Sequence, residues 1–411
     1  AHCLARHVMN LTGVPSSLLA ELRSAAVGAG VKRLAIVGGA VRDGLLHERY
    51  GRVWTGVPDL DWILEGDAMG LAAELLKRCG EQRVTELQSY GSFGTVALQL
   101  DGIALDFAMA RKETYPMPGE NPVVEPGSLD SDLVRRDFTI NAMAQDLLSG
   151  QLIDPHRGQQ DLAERRLVFL HDESVSDDPT RVIRASRYAA RLGFVLSPEA
   201  LQQVTATVRR WPWSWQLHDA PDQAPPALAN RLRMELDRLF AGEPWALALD
   251  CLEEWQAMAL LDPSLQHDRG RNRRIAWAQR LGLPLLPAWL AGAPDPEAVA
   301  RRLGVPGQQQ RWLKQLLQLQ DWLVSADAPD VHAAPDVWTA ALETQGWMPE
   351  TVAFMVCSQP PQWKPLLRWW GRWRHLKSPR SARDLIADGW SSGPALGLSL
   401  IHISEPTRRR G

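Results

Sequence analysis

Leu34-Ala35-Ile36-Val37-Gly38-Gly39-Ala40-Val41-Arg42-Asp43 runs from a short apolar stretch through two glycines into residues with helical spacing. That order predicts a strand, a sharp turn and a helix. Glycines let the backbone turn where other residues are hindered, and they bring amide N–H groups close to an anion at a helix start. A phosphate fits such a turn, and Arg42, one turn in, adds a cation for it. A plain strand-to-helix turn uses the same residues, so the turn alone decides the local fold and not the ligand.

Working outward, residues 16 to 28 have the spacing of a short amphipathic helix. Downstream, apolar runs at 60 to 64, 95 to 100 and 103 to 108 alternate with one helical segment around 67 to 79. A mixed α/β sheet domain is expected from this alternation. Residues 112 to 130 hold Pro116, Pro118, Gly119, Pro122, Pro126 and Gly127, and read as a long exposed loop. Beyond about residue 160 helical periodicity takes over, broken by Pro/Gly joints near 212 to 226, 281 to 295 and 326 to 336. The last residues, ending Thr407-Arg408-Arg409-Arg410-Gly411, have no periodicity and read as tail, tag or foreign sequence.

A chain of 411 residues with 45% hydrophobic residues is too long for one core, so several structural units are expected. No stretch reaches the eighteen or so apolar residues of a membrane span. Cys3, Cys79, Cys251 and Cys357 lie far apart with no CxxC pair, which points away from zinc and disulfides and towards a reducing cytoplasm. A net charge of −3 argues against indiscriminate coating of nucleic acid and leaves room for a local basic groove. Tryptophan is over-used, 18 against 4 Tyr and 7 Phe, and its helical spacing in the C-terminal half favours core packing.

Pro58-Asp59-Leu60-Asp61-Trp62 carries two acids at i and i+2. On a strand they share a face while Leu60 and Trp62 take the other. Paired carboxylates repel unless a cation lies between them, and magnesium, which takes oxygen ligands and keeps waters, suits a site whose substrate also brings phosphates. The same tripeptide is common in surface turns. Asp106, in the apolar run Ala104-Leu105-Asp106-Phe107-Ala108, is either a third carboxylate of that site or a buried partner for Arg111 or Arg136.

Arg135 and Arg136 open the segment Asp137-Phe138-Thr139-Ile140-Asn141-Ala142-Met143-Ala144, expected to be helical, with forks suited to phosphate and ribose. Further on, Asp177-Asp178-Pro179-Thr180-Arg181 begins another helix, with Pro179 in its first turn and Asp177 or Asp178 as cap. Asp178, Arg181, Arg184 and Arg187 recur every third residue along one stripe. A solvated charged face explains the stripe; so does base recognition. A carboxylate accepts from the exocyclic amine of cytosine or adenine while a guanidinium donates to the adjacent ring acceptor, a pattern that uracil and guanine do not match.

In this order, GGAVRD at 38 to 43, DLD at 59 to 61, RRDFTINAMA at 135 to 144, IDPHRGQQDL at 153 to 162 and DDPTRVIRASRYAARLGF at 177 to 194 resemble the bacterial branch of the CCA-adding enzymes. These are transfer RNA nucleotidyltransferases, grouped with bacterial poly(A) polymerases. The likeness is close over about residues 31 to 245. It implies an N-terminal segment (1–30), an α/β nucleotidyltransferase head with a mixed sheet (31–165), and an all-α neck (166–245), body and tail (246–397) that hold tRNA; 398–411 is left as an irregular tail, native or foreign. It further implies catalysis by Asp59 and Asp61, with Mg2+ on both; Asp106 is the candidate third catalytic acid that the strand pattern adds. Gly38, Gly39 and Arg42 would take the triphosphate, Arg135, Arg136, Asp137 and Asn141 the nucleotide and its surroundings, and Asp178 and Arg181 the base, supported by Arg184 and Arg187. The implied activity is template-independent addition of C, C and A to the tRNA 3′ end from CTP and ATP, by in-line attack of the RNA hydroxyl on the α-phosphate with release of pyrophosphate.

Two departures stand out: the neck motif usually begins Glu-Asp, here Asp177-Asp178, and the tail likeness at 381 to 397 stops at the Arg-rich end. Specialists adding only CC or only A share the head and neck, and a long 112–130 loop fits a full or A-adding enzyme better. Poly(A) polymerase fits less well, since Tyr90-Gly91-Ser92-Phe93-Gly94 replaces its Gly-Arg-Arg-Phe-type signature. A non-catalytic RNA-binding protein is opposed by the intact acids. His171-Asp172, His218-Asp219 and His267-Asp268 form no metal series that would add a phosphohydrolase. For RNA, Arg269, Arg271, Arg273, Arg274 and the stretch from Arg368 to Arg383, interleaved with Trp369, Trp370 and Trp373, are the basic candidates.

Overall fold

The structure, a computed structural model, describes residues 13–54, 60–90, 94–116, 118–119, 121–210, 226–376, 382–389, 391 and 393. Asp59, Gly91-Ser92-Phe93 and the 398–411 end lie outside the described residues. The first helix, α1 (Ser16–Gly28), leads into β1 (Arg33–Val37), and Gly38 turns the chain at φ +71° straight into α2 (Gly39–Tyr50). A side chain is strained at that angle, so this turn depends on glycine.

β2 (Leu60–Glu65), α3 (Ala68–Cys79), β3 (Val84–Tyr90), β4 (Thr95–Leu100) and β5 (Ile103–Met109) follow. The Asp67 carboxylate caps α3 by accepting from the Met69 amide at 3.0 Å, and Lys77 and Arg78 sit in its last turn, where the helix dipole favours cations. β3 has no counterpart in the apolar pattern. Its side chains after Val84 are exposed, and it is an edge strand made by pairing with β4.

The expectation of an irregular loop over 112–130 is overturned. β6 (Arg111–Thr114) and β7 (Val123–Pro126) form an antiparallel ribbon, and α4 (Leu129–Val134) follows. Pro116 and Gly119 fall in the connection and Pro126 at a strand end, positions where a two-stranded ribbon accepts them. Nor is 135–144 a helix: a 3-10 turn at Thr139–Asn141 runs into β8 (Ala144–Asp146) and then β9 (Leu152–Ile153). α5 (Gly158–Glu164), β10 (Arg166–Leu167), α6 (Ser174–Asp177), α7 (Thr180–Leu192), β11 (Val195–Leu196) and α8 (Pro198–Arg209) complete this part, with β10 and β11 a short parallel pair among helices.

The main sheet has the order β3-β4-β5-β2-β1-β8-β9, with β2 and β5 parallel and the other pairs antiparallel. One face carries Leu34, Ile36, Leu60, Trp62, Leu105 and Phe107, all buried, with the Trp62 and Phe107 rings stacked at 6.5 Å, and α3 packs on β4 and β5. On the other, Ala35, Val37, Ile63 and Ala110 meet Leu129 and Leu133 of α4 together with Ala142 and Ala144. Burying each of those leucines contributes roughly 1.5–3 kcal/mol, which holds α4 and the following segment against the sheet.

Two compact units are present, one running to residue 210 and including 247–255, the other comprising the remaining described residues from 226. Helices α9 (Pro226–Gly242), α10 (Trp245–Glu254), α11 (Arg271–Arg280), α12 (Leu285–Leu290), α13 (Pro296–Arg302), α14 (Gly307–Val324), α15 (Pro335–Gln345), α16 (Pro349–Ser358), α17 (Trp363–Gly371) and α18 (Ala382–Ala387) follow in sequence. Most of α10 belongs to the first unit. Tryptophan is core material in the second: Trp289 and Trp338 are fully buried, and Trp322 packs against Trp338 and Trp347 at 6.4 and 6.1 Å. Two of the basic candidates are withdrawn from any RNA surface. Arg271 is buried, and Arg274 is buried too, donating to the carbonyls of Ala288 and Trp289 at 2.8 and 3.2 Å and pairing with Asp268. Arg269 and Arg273 are exposed. No helix among the described residues is long and apolar enough to cross a membrane.

Candidate active site

Asp61 lies opposite Asp106 in the parallel β2–β5 register, and both are exposed while Leu60, Trp62, Leu105 and Phe107 point into the core. Neighbouring strands lie about 4.8 Å apart, so the two carboxylates project side by side. At such spacing two unit charges repel by about 1 kcal/mol in water and by more where solvent is thinned, which a shared cation relieves. Asp106 is therefore not a buried partner for an arginine. Arg111 pairs with Glu113 at 2.9 Å and Arg136 with Asp132 at 3.0 Å. Hard oxygen donors on an open face fit a divalent ion, although Asp61 and Asp106 alone do not make a three-ligand cluster, and none is found among the described residues.

The antiparallel partner of β2 runs Ile36 opposite Trp62, and Val37 pairs with Ala144 on the other side. Hence the Gly38 turn, the 139–143 segment and Asp61 share one end of the sheet. A Cβ at Gly38 would stand 3.2 Å from an Arg136 Nη, so that guanidinium lies directly at the turn. Arg136 Nε is buried with no hydrogen-bond partner among the described residues. Arg135 is anchored more tightly, to Asp132 at 2.9 and 2.7 Å and to Glu113 of β6 at 3.1 Å.

Behind this surface lies a continuous buried network. Arg42 donates to Asp43 at 2.8 and 3.0 Å and to Asn141 Oδ1 at 2.6 Å, with its guanidinium 5.0 Å over the Tyr188 ring. Burial works against the Arg42 charge, but Tyr188 and Asp43 outweigh it and hold the group protonated above its ordinary value. Asn141 in turn donates to Asp137 Oδ1 at 2.9 Å, and the other Asp137 oxygen takes Arg184 at 2.9 and 2.7 Å. Burial pushes the Asp137 carboxyl up, yet the Arg184 charge and the hydrogen bonds from Asn141, Arg184 and the Phe138 amide hold it below the ordinary carboxylate value. Arg42, Asp137 and Asn141 are thus turned towards one another, and none is more than 7% exposed.

Just before α7, Asp178 Oδ1 accepts from the Thr180 amide and hydroxyl at 3.2 and 2.7 Å, while Pro179, rather than an acid, stands at the N-cap position. Arg181 is buried and held by two carbonyls, Ser174 at 3.1 Å and Arg135 at 2.8 Å. Arg184 and Arg187 are half-buried. Tyr188 packs edge-on against Phe138 at 5.5 Å and is flanked by the Arg42 and Arg191 guanidinia. The structure therefore brings Gly38, Gly39, Arg42, Arg136, Asp137, Asn141 and Arg184 together, and puts Asp61 and Asp106 at the same sheet end. Asp59 lies outside the described residues.

Asp132, fully buried beneath both arginines, escaped the sequence reading. The available signal was its spacing, three and four residues ahead of Arg135 and Arg136 on a helical turn. Glu113 could not be found that way, because its pairing with Arg135 depends on the ribbon.

A mixed sheet with an acid pair at one end, a glycine turn beside it and a helical remainder defines a nucleotidyltransferase head, and residues 34–168 match the family model described as Poly A polymerase head domain. The CC-adding tRNA nucleotidyltransferase of Deinococcus radiodurans is 33% identical over 387 residues, covering 90% of this chain and 83% of that one. The A-adding tRNA nucleotidyltransferase of Aquifex aeolicus is 46% identical over 168 residues, 40% of this chain, which spans only 19% of that relative's length. Among solved structures, a CCA-adding enzyme in apo form superimposes with a TM-score of 0.71 over 96% of this chain and 94% of its own, at 23% identity, a likeness of fold. The chain belongs to the tRNA nucleotidyltransferase/poly(A) polymerase family. Nucleotidyltransferases of this family generally use a divalent metal ion.

Proposed function

We propose that this chain is a cytoplasmic enzyme that adds C, C and A to the 3′ end of tRNA from CTP and ATP, releasing pyrophosphate, with Mg2+ as its metal. The observation that carries the reading is the level placement of Asp61 and Asp106, exposed on adjacent parallel strands beside the Gly38 turn. Asp59 and Asp61 would hold the ion with Asp106 beside them; once bound, it supplies charge neutralisation for the phosphates and the attacking hydroxyl. The triphosphate lies at the Gly38-Gly39 turn, where backbone amides and Arg136 face it and Arg42 supports the turn from beneath. Arg135, Asp137 and Asn141 shape the nucleotide's surroundings. Asp178 and Arg181 select the base. Arg181 is held in one orientation by two main-chain carbonyls, which fixes the start of the helix that Arg184 and Arg187 extend. Such pre-organisation places the RNA hydroxyl and α-phosphate for in-line attack without a covalent enzyme intermediate.

Head (31–165), neck (166–245) and body with tail (246–397) would divide the work, the last holding the acceptor arm through exposed Arg368 and Arg372. The test is incubation with Mg2+ and one tRNA in three forms, ending before CCA, after CC, or complete, with CTP and ATP separately and together. Sequential growth to CCA is expected. Growth that stops after CC, as the name of the Deinococcus relative describes, would make the chain a CC specialist; extension of only the CC-ending form would make it an A specialist. No growth under any condition would overturn the reading.

A further inference from the structure

We propose that Asp161 is a positioning residue of the nucleotide site, acting through Thr139 to set Asn141; this rests on reading the 38–43 and 135–141 segments as that site. The Asp154 carboxylate accepts from the amides of Gly158 and Gln159 at 2.6 and 2.9 Å and so fixes the first turn of α5. Arg49, at the end of α2, donates to Gln159 at 2.8 Å and ties α5 to the helix that carries Arg42. Gly158 lies so close to the 3-10 turn that a Cβ would overlap the Thr139 carbonyl oxygen. One turn further along α5, buried Asp161 accepts from the Thr139 hydroxyl at 2.6 Å, and the Thr139 amide donates to the Val168 carbonyl at 3.0 Å. Thr139 is gripped from three directions.

Two residues later comes the reason for the grip. Asn141 uses both ends of its amide at once, accepting from Arg42 and donating to Asp137. Hydrogen bonds weaken steeply with misalignment, so a small rotation of the 139–141 turn would break one of these two bonds. Asp161 contacts neither Arg42 nor Asp137. Its contribution is to keep the turn that joins the glycine-turn helix to Arg184 of α7 in one position.

The test uses the full chain as Asp161→Ala, Asp161→Asn, Thr139→Val and Thr139→Ser variants, measuring kcat and KM for CTP and ATP, CTP affinity by calorimetry, and amide exchange over residues 138–142. Loss of one buried hydrogen bond of this kind is expected to raise KM and weaken CTP binding by about tenfold in Asp161→Ala and Thr139→Val, with kcat changed by less than about threefold. The double variant should be no worse than either single one. Asp161→Asn, which keeps an acceptor, and Thr139→Ser, which keeps the hydroxyl, should stay near wild type. Faster exchange confined to 138–142 should accompany the losses. Unchanged KM and CTP affinity in Asp161→Ala or Thr139→Val, even with a lowered Tm, would overturn the inference. So would full additivity in the double variant. A wild type that binds CTP but transfers nothing would break the proposed reaction and leave the Asp161 test readable through affinity; a wild type that does not bind CTP would overturn both.

Discussion

Two groups of polar residues meet at one end of the sheet, and they are built in opposite ways. Asp61 and Asp106 project from strands into the open, while Arg42, Asp137 and Asn141, adjacent in space to the same glycine turn, are buried and linked through Asn141, with Asp43 and Arg184 holding the two ends. An exposed acid pair carries a repulsion that a cation relieves. A closed network has little capacity left for a ligand and holds its neighbours in place. On the proposed reading, the contrast separates groups that would meet the reacting phosphate from groups that would set the geometry around it.

Substitution should break this contrast most visibly at Asp61. Asp61→Ala is expected to lower transfer by about a thousandfold or more, as loss of a metal-holding carboxylate does, with Tm within the small range of surface changes. Retained transfer would remove the metal assignment. Asp106→Asn comes next, with a fall of about ten- to a hundredfold in kcat and stability unchanged; an unaltered rate would leave Asp61 without its register partner in the chemistry. In the network the balance should reverse. Asp137→Ala removes one acceptor from Asn141 and from a partly exposed Arg184, and, with allowance for solvent around Arg184, should cost about 1–3 kcal/mol by urea titration. A negligible cost there would dissolve the distinction.

The smallest effect is on acid stability. Asp137 has its folded pKa below the unfolded value, so its stabilisation is complete above about pH 4 and is lost as pH falls through the lower folded pKa. The stability gap between wild type and Asp137→Asn should therefore be widest near neutrality and close on acidification. A gap that stays constant down to pH 3 would show that the charge of Asp137 is not what the network uses.

Much of this architecture was legible because its signals are local. The Gly38 turn, the outward face of Asp61 on its strand and the helix beginning near Pro179 each depend on a few consecutive residues. Asp106 was harder: the sequence shows it among apolar neighbours, but only strand alternation against a packed sheet tells that Ala104 and Asp106 face out while Leu105 and Phe107 face in. The β6–β7 ribbon was hidden by its own prolines and by strands too short to carry a pattern. The fates of Arg42 and Arg181 lay beyond the sequence altogether. Only the fold shows the Asn141, Ser174 and Arg135 oxygens that fix where each guanidinium points.

The parallel pairing of β2 with β5 has a consequence in time. Antiparallel neighbours such as β4 and β5 can zip from a tight turn, but parallel strands require a crossover, here the chain through α3, β3 and β4, before Asp61 and Asp106 come level. The entropy of closing that loop must be met first, so the two acids are assembled late, after the hairpin that carries one of them already exists. A refolding chain should regain sheet signal before it regains the divalent-ion binding proposed for these two acids.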